Sequence, residues 1–503
     1  MKNKLDNKWF YFPVVLFFIY FIYRLLDFSK IVSRFPLDKT NDIASYIAQL
    51  YFLSNYGFHQ LVPHWGGGFT LFQTYPPGWF YFTLPLYNLF NDYLVATFIS
   101  TVLIMGIIFF AIVYFGKLNN LSFTRRLAFF IFLFANPISI GNFTRLGRVT
   151  ELFGWMNFII LALIFLYYLE KELNIKFYIL FIAFYSVLML SHPAIIVVFP
   201  LLLIGFFFSR KLWKERIIFV VSSLLVYFIT SFWWIGFVSN LEKGGSVITK
   251  GLLSFSNAWF WTNVAGFVII PALWISFYFH WKNFKNKKHL IFIMPVLIVS
   301  VLFISRLIVF TPFLNKVFPD IYLMLFLFFA LYYFLKVRNF YSLNSLIKVG
   351  LIVLAVVSVF VSFTSTPLMK EYSDVGNEAV DLIDKVEGKF FVFGFPGSGF
   401  DDIGGWYPGN DIDVYAVYSY ATVCCDLISA THVMFSGGST VAERRFFFDT
   451  MRKGNNGECK EFKENLDVLE VDEFLTFQDH CEVMLSCGFE LKEQNGDSCL
   501  FFN

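Results

Sequence analysis

The amino-acid sequence predicts a polytopic α-helical membrane protein with about eleven transmembrane helices and a C-terminal α/β extracytoplasmic domain. Of its 503 residues, 57% are apolar and only 15% are charged, whereas roughly a quarter of a soluble chain is charged. The mean hydropathy is +0.64. Residues 1–365 contain 29 basic and 11 acidic residues, and residues 366–503 contain 10 and 25. We therefore expect a basic, apolar membrane domain (1–365) followed by an acidic, water-facing domain (366–503).

Eleven apolar segments predict the helices of the membrane domain. About 20 apolar residues are needed to cross ~30 Å of hydrocarbon as a helix, in which backbone polar groups bond to one another. The predicted spans are residues 9–26, 94–116, 127–141, 152–169, 177–191, 193–208, 217–238, 258–280, 290–310, 320–335 and 349–365. Residues 79–90 are apolar but too short to cross, so we expect a re-entrant or interfacial segment there.

Lys and Arg residues in the short loops predict the orientation of a multi-pass protein of the cell membrane. With a cytoplasmic N-terminus, the five inside loops contain 16 basic residues and the outside loops of the membrane domain contain 9, as the positive-inside rule requires. Eleven crossings then place the C-terminal domain outside the cytoplasm.

The cysteines favour the same orientation. All six lie in the acidic domain: Cys424, Cys425, Cys459, Cys481, Cys487 and Cys499. Disulfides persist outside the cytosol, and free buried thiols are the alternative. Six cysteines can pair in 15 ways, so the sequence does not give the connectivity.

The first outside loop, residues 27–78, is too long for a simple connector. Asp38 and Asp42 follow the first span, and apolar residues at helical spacing after Asp42 predict an amphipathic helix on the membrane face. Two motifs come next, His64-Trp65-Gly66-Gly67-Gly68 and Tyr75-Pro76-Pro77.

This order of motifs resembles the GT-C superfamily of integral-membrane glycosyltransferases. In that superfamily an acidic residue beyond the first membrane helix is followed by an interfacial helix, a Trp/Gly turn and a Tyr-Pro-Pro segment. The chain is similar in particular to archaeal and bacterial membrane proteins labelled as related to 6-pyruvoyl-tetrahydropterin synthase, a label from which we infer no pterin chemistry. The resemblance is strongest over residues 27–90. Many relatives have a His four residues after the Asp, where this chain has Tyr46.

The resemblance implies that Asp42 is the catalytic base, with Asp38 as the reserve. A carboxylate at the membrane surface can take the proton of an acceptor hydroxyl as that hydroxyl attacks the anomeric carbon of a lipid-phosphate sugar. Alternatively, Asp42 caps the helix that follows it, and Asp38 is a solvated loop residue.

The second outside loop contains charged residues suited to a phosphate. Arg145 and Arg148 can bind a phosphate bidentately or extend to the membrane interface. Glu151 matches by position an acidic residue of GT-C proteins, and in oligosaccharyltransferase catalytic subunits a comparable loop helps hold a divalent metal. The resemblance thus implies a metal site of Asp42 and Glu151 for Mg²⁺ or Mn²⁺. No cofactor is certain, because some GT-C members use no metal.

Three further residues complete the predicted phosphate-binding set. His192 precedes Pro193 at an outer turn, where it contacts the donor phosphate or bonds a carbonyl that Pro193 leaves free. Arg306, near the outer end of the ninth span, binds the lipid phosphate or pairs with Asp320. His64, in the Trp/Gly turn, is the third.

The sequence of the acidic domain predicts a mixed α/β fold. We expect a helix over 378–384, a strand over 389–393, a helix over 474–488 and a closing hairpin from 488–492 to 499–502. Residues 401–409, with Trp406 and Tyr407, form either a turn-rich loop or part of a sugar-binding rim.

Together these features predict a glycosyltransferase that moves a sugar from a polyprenyl-phosphate donor to a glycan or protein acceptor at the outer membrane face. Its partners would be membrane lipid, donor and acceptor, with no nucleic acid; the sequence does not fix the oligomeric state. Two alternatives remain. A secondary transporter would show internal repeats and charges at mid-membrane. A non-catalytic GT-C-like envelope protein would fit Tyr46 in place of the usual His.

Overall fold

The computed structural model describes residues 8–37, 41–66, 68–73, 75–239, 252, 257–337, 345–394, 414–430 and 441–503. Contacts between residues divide the chain into two units. Unit 1 comprises Met1–Phe28 and Thr101–Leu368, and unit 2 comprises Ser29–Ser100 and Met369–Asn503. Unit 2 therefore contains the predicted first outside loop together with the C-terminal residues.

The helices of the N-terminal half are α1 (Lys8–Phe28), α2 (Asn41–Asn55), α3 (Gly78–Phe90), α4 (Tyr93–Leu118), α5 (Phe123–Phe134), α6 (Pro137–Ser139), α7 (Val149–Tyr168), α8 (Ile175–Met189), α9 (Pro193–Val198), α10 (Pro200–Ser209), α11 (Trp213–Ile229) and α12 (Ser231–Ser239). Those that follow are α13 (Asn257–Phe284), α14 (Lys287–Ile304), α15 (Pro319–Lys336), α16 (Ser345–Ser365), α17 (Asp374–Ile383), α18 (Val414–Cys425), α19 (Val441–Asn456), α20 (Cys459–Val468) and α21 (Asp479–Ser486). The strands are β1 (Leu61–Val62), β2 (Phe69–Thr70), β3 (Phe390–Val392), β4 (Glu473–Phe477), β5 (Leu491–Asn495) and β6 (Ser498–Phe502).

The predicted membrane helices are present, although fewer of them are long enough to cross a membrane than the eleven expected. Among the described residues, seven helices are long and apolar enough, or nine if each of two bent pairs is one span. The two other predicted spans coincide with the shorter apolar helices Ile175–Met189 and Pro193–Ser209. The chain is thus an integral membrane protein, while the orientation of its termini stays a prediction.

Helix α7 is the central helix of unit 1. It is buried along its whole length, as expected of a helix that is apolar on every side. Phenylalanine rings supply much of the packing around it. The Phe165 ring lies 4.4 Å from the Phe206 ring and 5.8 Å from the Phe181 ring, centroid to centroid. Some of the phenylalanines of this chain therefore form the core of the helix bundle.

A bend after α5 positions the second predicted outside loop. Pro137 lacks a backbone N–H and cannot continue a helix in register, and the chain bends by 52° between Phe123–Phe134 and Pro137–Arg145. The side-chain oxygen of Asn136 caps the new helix by accepting from the backbone N–H groups of Ile138 and Ser139 at 3.0 and 3.1 Å. Residues Ile140–Arg145 continue as a π-helical turn, a local irregularity that is frequent at functional sites.

Helices α10 and α14 approach each other so closely that one contact position must be glycine. A Cβ at Gly205 would lie 2.1 Å from the carbonyl oxygen of Phe292. We expect Gly205→Ala to lower the free energy of unfolding by about 1–3 kcal/mol, because the helices must separate. Thermal unfolding of the detergent-solubilised protein measures this. Gly106→Ala in α4 is the control, since no atom lies within 4 Å of that Cβ position; equal effects of the two variants would contradict the close approach.

Unit 2 contains a four-stranded sheet in the order β3-β4-β6-β5. Strand β3 is parallel to β4, and β4 and β5 are both antiparallel to β6. The predicted helix over 378–384, strand over 389–393 and closing hairpin correspond to α17, β3 and β5–β6. The predicted helix over 474–488 is wrong in its first part. Residues Glu473–Phe477 form β4, which is buried at every position because it lies inside the sheet, and only Asp479–Ser486 is helical.

Two disulfides hold the end of unit 2 together. Cys459 is bonded to Cys487, and Cys481 is bonded to Cys499. They connect the start of α20 to the end of α21, and α21 to β6. Cys424 and Cys425 are free thiols. The predicted disulfides are thus present for four of the six cysteines.

Helix α2 confirms the predicted helix after Asp42 but lacks the exposed polar face of an interfacial helix. Residues 42–50 are all buried. Within unit 2, α2 packs against α18 and α3. Asp42, Ser45 and Gln49 recur at helical spacing along it and are each at most 2% exposed. A buried polar stripe on a helix is a stronger sign of a functional surface than an exposed one, because buried polar groups require partners.

Candidate active site

In unit 1, the turn after the Asn136 bend brings charged side chains together beside the start of α15. The Arg148 guanidinium donates to Asp320 Oδ2 at 2.7 Å, and the Asn142 side-chain amide donates to the same oxygen at 2.6 Å. Arg148 also lies over the Phe318 ring, 5.2 Å from its centroid. Arg148 is therefore held by a half-buried carboxylate and an aromatic face, which is not how a side chain extending into the interface would be held.

Glu151 lies in the first turn of α7, where the helix dipole favours a negative charge, and is 1% exposed. Its Oε1 accepts from the indole N–H of Trp155 at 3.2 Å, and its Oε2 lies 3.7 Å from Arg148. The structure thus groups Arg148 with Glu151 and adds Asp320, giving one guanidinium between two carboxylates.

Two further residues of unit 1 were predicted to bind the phosphate. Arg145 is 6% exposed and lies close enough to Arg24 for their charges to interact, and His192 lies close enough to Arg148 to be affected by its charge. Arg24 donates to the carbonyl oxygens of Thr366 and Pro367 at 2.8 and 3.4 Å, which ties α1 to the end of α16. Arg24 therefore has a structural function, whereas the roles of Arg145 and His192 in phosphate binding stay predictions.

Arg306 does not pair with Asp320, the internal partner suggested by the sequence. Asp320 binds Arg148 instead. Arg306 has a left-handed backbone conformation, with φ of 66°, and its guanidinium lies 5.9 Å from the centroid of the Phe267 ring. Its proposed contact with a lipid phosphate stays a prediction.

In unit 2, Asp42 lies within the first turn of α2, because that helix begins at Asn41. Asp42 therefore does not precede the helix as the alternative capping interpretation required. The carboxylate is 2% exposed. Burial of this kind is compatible with a base that acts in a water-poor site, and the role itself stays a prediction.

Tyr46, one turn after Asp42, occupies the position at which many relatives have His. Its hydroxyl lies 3.0 Å from that of Tyr75, and its ring packs against Trp79 and Phe80, at centroid distances of 6.1 and 6.2 Å. The structure thus joins two parts of the resemblance, the helix after Asp42 and the Tyr75-Pro76-Pro77 segment. Tyr46 retains a hydroxyl that can donate or accept a hydrogen bond next to Asp42 on the helix.

His64 is engaged within unit 2. It is 2% exposed, its Nε2 lies 2.7 Å from Asp426 Oδ1, and its Nδ1 lies 3.4 Å from the Tyr56 hydroxyl. Tyr51 donates to the same Asp426 oxygen. Burial opposes ionisation of Asp426, but the bonds from Tyr51 and His64 and the charge of His64 outweigh it and lower the pKa of this carboxyl. Burial, together with the bond to Asp426, raises the pKa of Tyr51. Phosphate binding by His64 stays a prediction.

Trp65 fixes the Trp/Gly turn to α18. It is fully buried, its indole N–H donates to Thr422 Oγ1 at 3.0 Å, and the backbone N–H of Gly66 donates to the carbonyl oxygen of Ser429 at 3.0 Å. We expect Trp65→Phe to lower the free energy of unfolding by about 1–3 kcal/mol through the lost bond and the space left behind. Thermal unfolding tests this, with Trp213→Phe as the control because Trp213 is 65% exposed. An unchanged melting temperature for Trp65→Phe would contradict this role.

Some predicted residues lie outside the described part of the chain. They are Asp38, Gly67 and the stretch 401–409 with Trp406 and Tyr407. The reserve role of Asp38 and the sugar-binding rim therefore stay predictions.

The predicted metal site is only partly recognisable. Both Glu151 oxygens already face Trp155 or Arg148, and Asp42 belongs to the other unit. Oxygen cages for Mg²⁺ or Mn²⁺ need several carboxylate, carbonyl or water oxygens. Within the described residues, the one group of three or more metal-ligating side chains is Asp384, Cys424 and Cys425. A divalent metal at Asp42 and Glu151 thus stays a prediction.

Two carboxylates organise these groups, Asp320 and Asp426. The sequence named Asp320 only as an alternative partner of Arg306 and did not single out Asp426. Asp320 lies 172 residues from Arg148, and Asp426 lies 362 residues from His64. No local pattern links residues so far apart. The one usable signal was that Asp320 is an acid at the start of an apolar span, where it needs a cationic partner.

Comparison with solved structures gives the fold. The arabinofuranosyltransferase AftD from Mycobacteria superposes with a TM-score of 0.57 and 13% identity, over 97% of this chain and 39% of the mycobacterial chain. The oligosaccharyltransferase of Archaeoglobus fulgidus in its apo form superposes with a TM-score of 0.57 and 10% identity, over 95% of this chain and 70% of the archaeal chain. Both are GT-C glycosyltransferases. The chain has the GT-C fold.

The GT-C fold confirms the resemblance inferred from the first outside loop. The superposition on AftD covers almost the whole of this chain, although this chain spans only about two fifths of the length of AftD. No protein-family model matches the sequence, and no curated protein matches it. At 10–13% identity the likeness establishes the architecture, and activity has to be argued from the residues of this chain.

Proposed function

We propose that this protein is a membrane glycosyltransferase that transfers a sugar from a polyprenyl-phosphate donor to a hydroxyl or amide acceptor at the outer membrane face. The observation that carries the proposal is a charged group of unit 1 that is largely withdrawn from solvent. Arg148 and Asp320 are half-buried, Arg148 lies between Asp320 and the buried Glu151, and the buried Arg145 is nearby in the chain. Buried ionisable residues in a membrane domain are expensive and generally functional.

The guanidinium groups of Arg145 and Arg148 suit the leaving group. As the bond between the anomeric carbon and the phosphate oxygen breaks, that oxygen takes the bonding electrons and negative charge grows on the lipid phosphate. Planar guanidinium groups bind phosphate oxygens bidentately, and in a water-poor site such preorganised donors stabilise the developing charge strongly. Asp320 and Asn142 orient Arg148 for this role.

In this proposal Asp42 is the general base. The acceptor oxygen forms the new bond to the anomeric carbon, and its proton passes to the Asp42 carboxylate, so that atoms and charges balance. The start of a helix supplies backbone N–H groups that stabilise the carboxylate before the proton arrives. A negatively charged, ready base is what hydroxyl activation requires.

Three buried polar atoms on α2 and α3 support an acceptor site in unit 2. Gln49 Nε2, Trp79 Nε1 and Thr83 Oγ1 are buried without a hydrogen-bond partner among the described residues. Leaving such groups unsatisfied costs about 1–3 kcal/mol each. Gln49 is two turns after Asp42 on α2, and Trp79 and Thr83 are one turn apart on α3. Such a set of donors suits the hydroxyl groups of a sugar or glycan.

A transfer assay tests the proposed function. The purified protein in lipid nanodiscs is incubated with a panel of polyprenyl-phosphate sugars carrying a radiolabelled sugar, together with glycan and peptide acceptors. We expect label to move to an acceptor from at least one donor. Failure of every donor, combined with solute flux in proteoliposomes, would instead favour a transporter. Failure of both assays would favour a non-catalytic envelope protein.

A further inference from the structure

The two free cysteines of unit 2 meet a carboxylate at the end of α18. Cys425 Sγ lies 3.2 Å from Asp384 Oδ1, and Cys424 Sγ lies 3.9 Å from the same oxygen. All three ligand atoms lie within 4.8 Å of one another. Asp384 directly follows α17, and the two cysteines are the last residues of α18, so residues 40 apart in the chain converge on one point.

This cluster is not explained by core packing. Free cysteine is normally among the most buried residue types, yet Cys424 is exposed and Cys425 is half-buried. The four other cysteines are paired as disulfides, a modification typical of an oxidising compartment. Neither core packing nor disulfide formation therefore explains why these two adjacent thiols are free and accessible.

The electrostatics of the cluster favour a cation. The C-terminal ends of α17 and α18 meet here, and each carries the negative end of a helix dipole. The Asp384 carboxylate adds a full negative charge. A bound divalent ion replaces the protons of thiol ligands.

We propose that Asp384, Cys424 and Cys425 bind one Zn²⁺, with water in the remaining position. Zinc–sulfur bonds of about 2.3 Å in a tetrahedron place neighbouring ligand atoms roughly 3.8 Å apart, close to the distances found here. Thiolate ligands select zinc over the hard cations Mg²⁺ and Ca²⁺. Binding of Zn²⁺ to two neutral thiols and one carboxylate releases two protons, which balances charge and atoms.

The site would also stiffen a functional part of unit 2. Asp426 is the next residue after the cysteines and binds both His64 and Tyr51. A metal that joins α17 to α18 fixes the end of α18, and with it the carboxylate that holds the His64 turn. The zinc would therefore hold α17 to α18, and its binding is independent of whether the protein transfers a sugar.

Metal titration of the full-length protein in detergent, with both disulfides intact and Cys424 and Cys425 as thiols, tests this inference. We expect one Zn²⁺ per chain by elemental analysis, and with Cd²⁺ a thiolate-to-metal charge-transfer absorbance. Cys424→Ser and Cys425→Ser should abolish the absorbance, and Asp384→Asn should weaken binding about tenfold or more. Asp381→Asn is the matched control, because Asp381 is an exposed acid of the same helix and should leave binding unchanged.

Three results would overturn the site. They are no stoichiometric zinc in the wild-type protein, binding by the cysteine variants equal to that of the wild type, and a Cys424–Cys425 disulfide in protein purified without reductant, seen as a peptide two hydrogens lighter. Thermal unfolding of each variant without metal is the folding check. A folded cysteine variant that loses the absorbance, beside a wild-type protein that shows it, supports the site.

Discussion

Asp42→Asn lowers the rate of sugar transfer by about 10²–10⁴-fold, the range that a positioned general base contributes. The amide has nearly the same shape as the carboxylate but cannot accept the proton of the acceptor hydroxyl. Because Asp42 is 2% exposed, an isosteric change disturbs packing least. The loss should appear in kcat, while the dissociation constant of the donor changes little. Initial rates of label transfer in nanodiscs, with donor binding measured separately, give both quantities.

The control for this variant is Asp92→Asn. The Asp92 side chain accepts from the backbone N–H groups of Leu94 and Val95 at 2.7 and 3.0 Å at the start of α4, and Asn serves equally well at such a cap. We expect Asp92→Asn to have wild-type activity. A wild-type kcat for a correctly folded Asp42→Asn protein would remove Asp42 as the base and leave the fold assignment intact.

Arg148→Lys weakens donor binding by about 10–100-fold. Lysine keeps the positive charge but loses the planar, two-pronged geometry that binds a phosphate. A hydrogen bond to a charged group contributes about 1.5–3 kcal/mol, and each 1.4 kcal/mol is about tenfold in affinity. The change should appear as a higher KM for the lipid donor and as weaker binding of polyprenyl phosphate itself.

A double-mutant cycle separates the roles of Arg148 and Asp320. Asp320→Asn alone should also weaken donor binding, because Arg148 loses the carboxylate that orients it, and the effects of the two variants should not add. Arg216→Lys is the control, since the Arg216 side chain donates to a backbone oxygen, that of Arg210, and lies over the Phe207 ring. Unchanged KM in Arg148→Lys would show that the Arg148–Asp320 pair serves stability alone.

The helix bundle could be predicted because membrane burial leaves a strong local signal. All eleven apolar segments contain helix, since backbone groups in lipid must bond within the segment. The number of segments that cross the membrane could not be predicted, because the chain bends by 52° at Pro137 and by 74° at Thr230, each time within an apolar segment. In unit 2 the sequence predicts a helix from residue 474 onwards, although Glu473–Phe477 is a central strand. A short apolar run has no periodicity that distinguishes the two.

The sequence singled out individual residues of the candidate site but not the pairs that these residues form. The resemblance to GT-C proteins singled out Asp42 and Glu151, and charge and loop position singled out Arg148. Asp320, the partner of Arg148, lies 172 residues away in the chain, and no spacing rule reports such a pair. The convergence of Asp384 with Cys424 and Cys425 has the same origin, since two helix ends 40 residues apart meet only in the folded unit.

A cryo-EM structure of the Asp42→Asn protein with a bound polyprenyl-phosphate sugar tests most directly where the leaving group is held. Because this variant binds the donor without turning it over, the intact headgroup should be visible. We predict phosphate oxygens within ~3 Å of the guanidinium nitrogens of Arg145 and Arg148, with the polyprenyl chain against the helices of unit 1. A headgroup bound elsewhere, with Arg148 still bonded to Asp320 and no phosphate in contact with either arginine, would contradict the proposed role of this charged group.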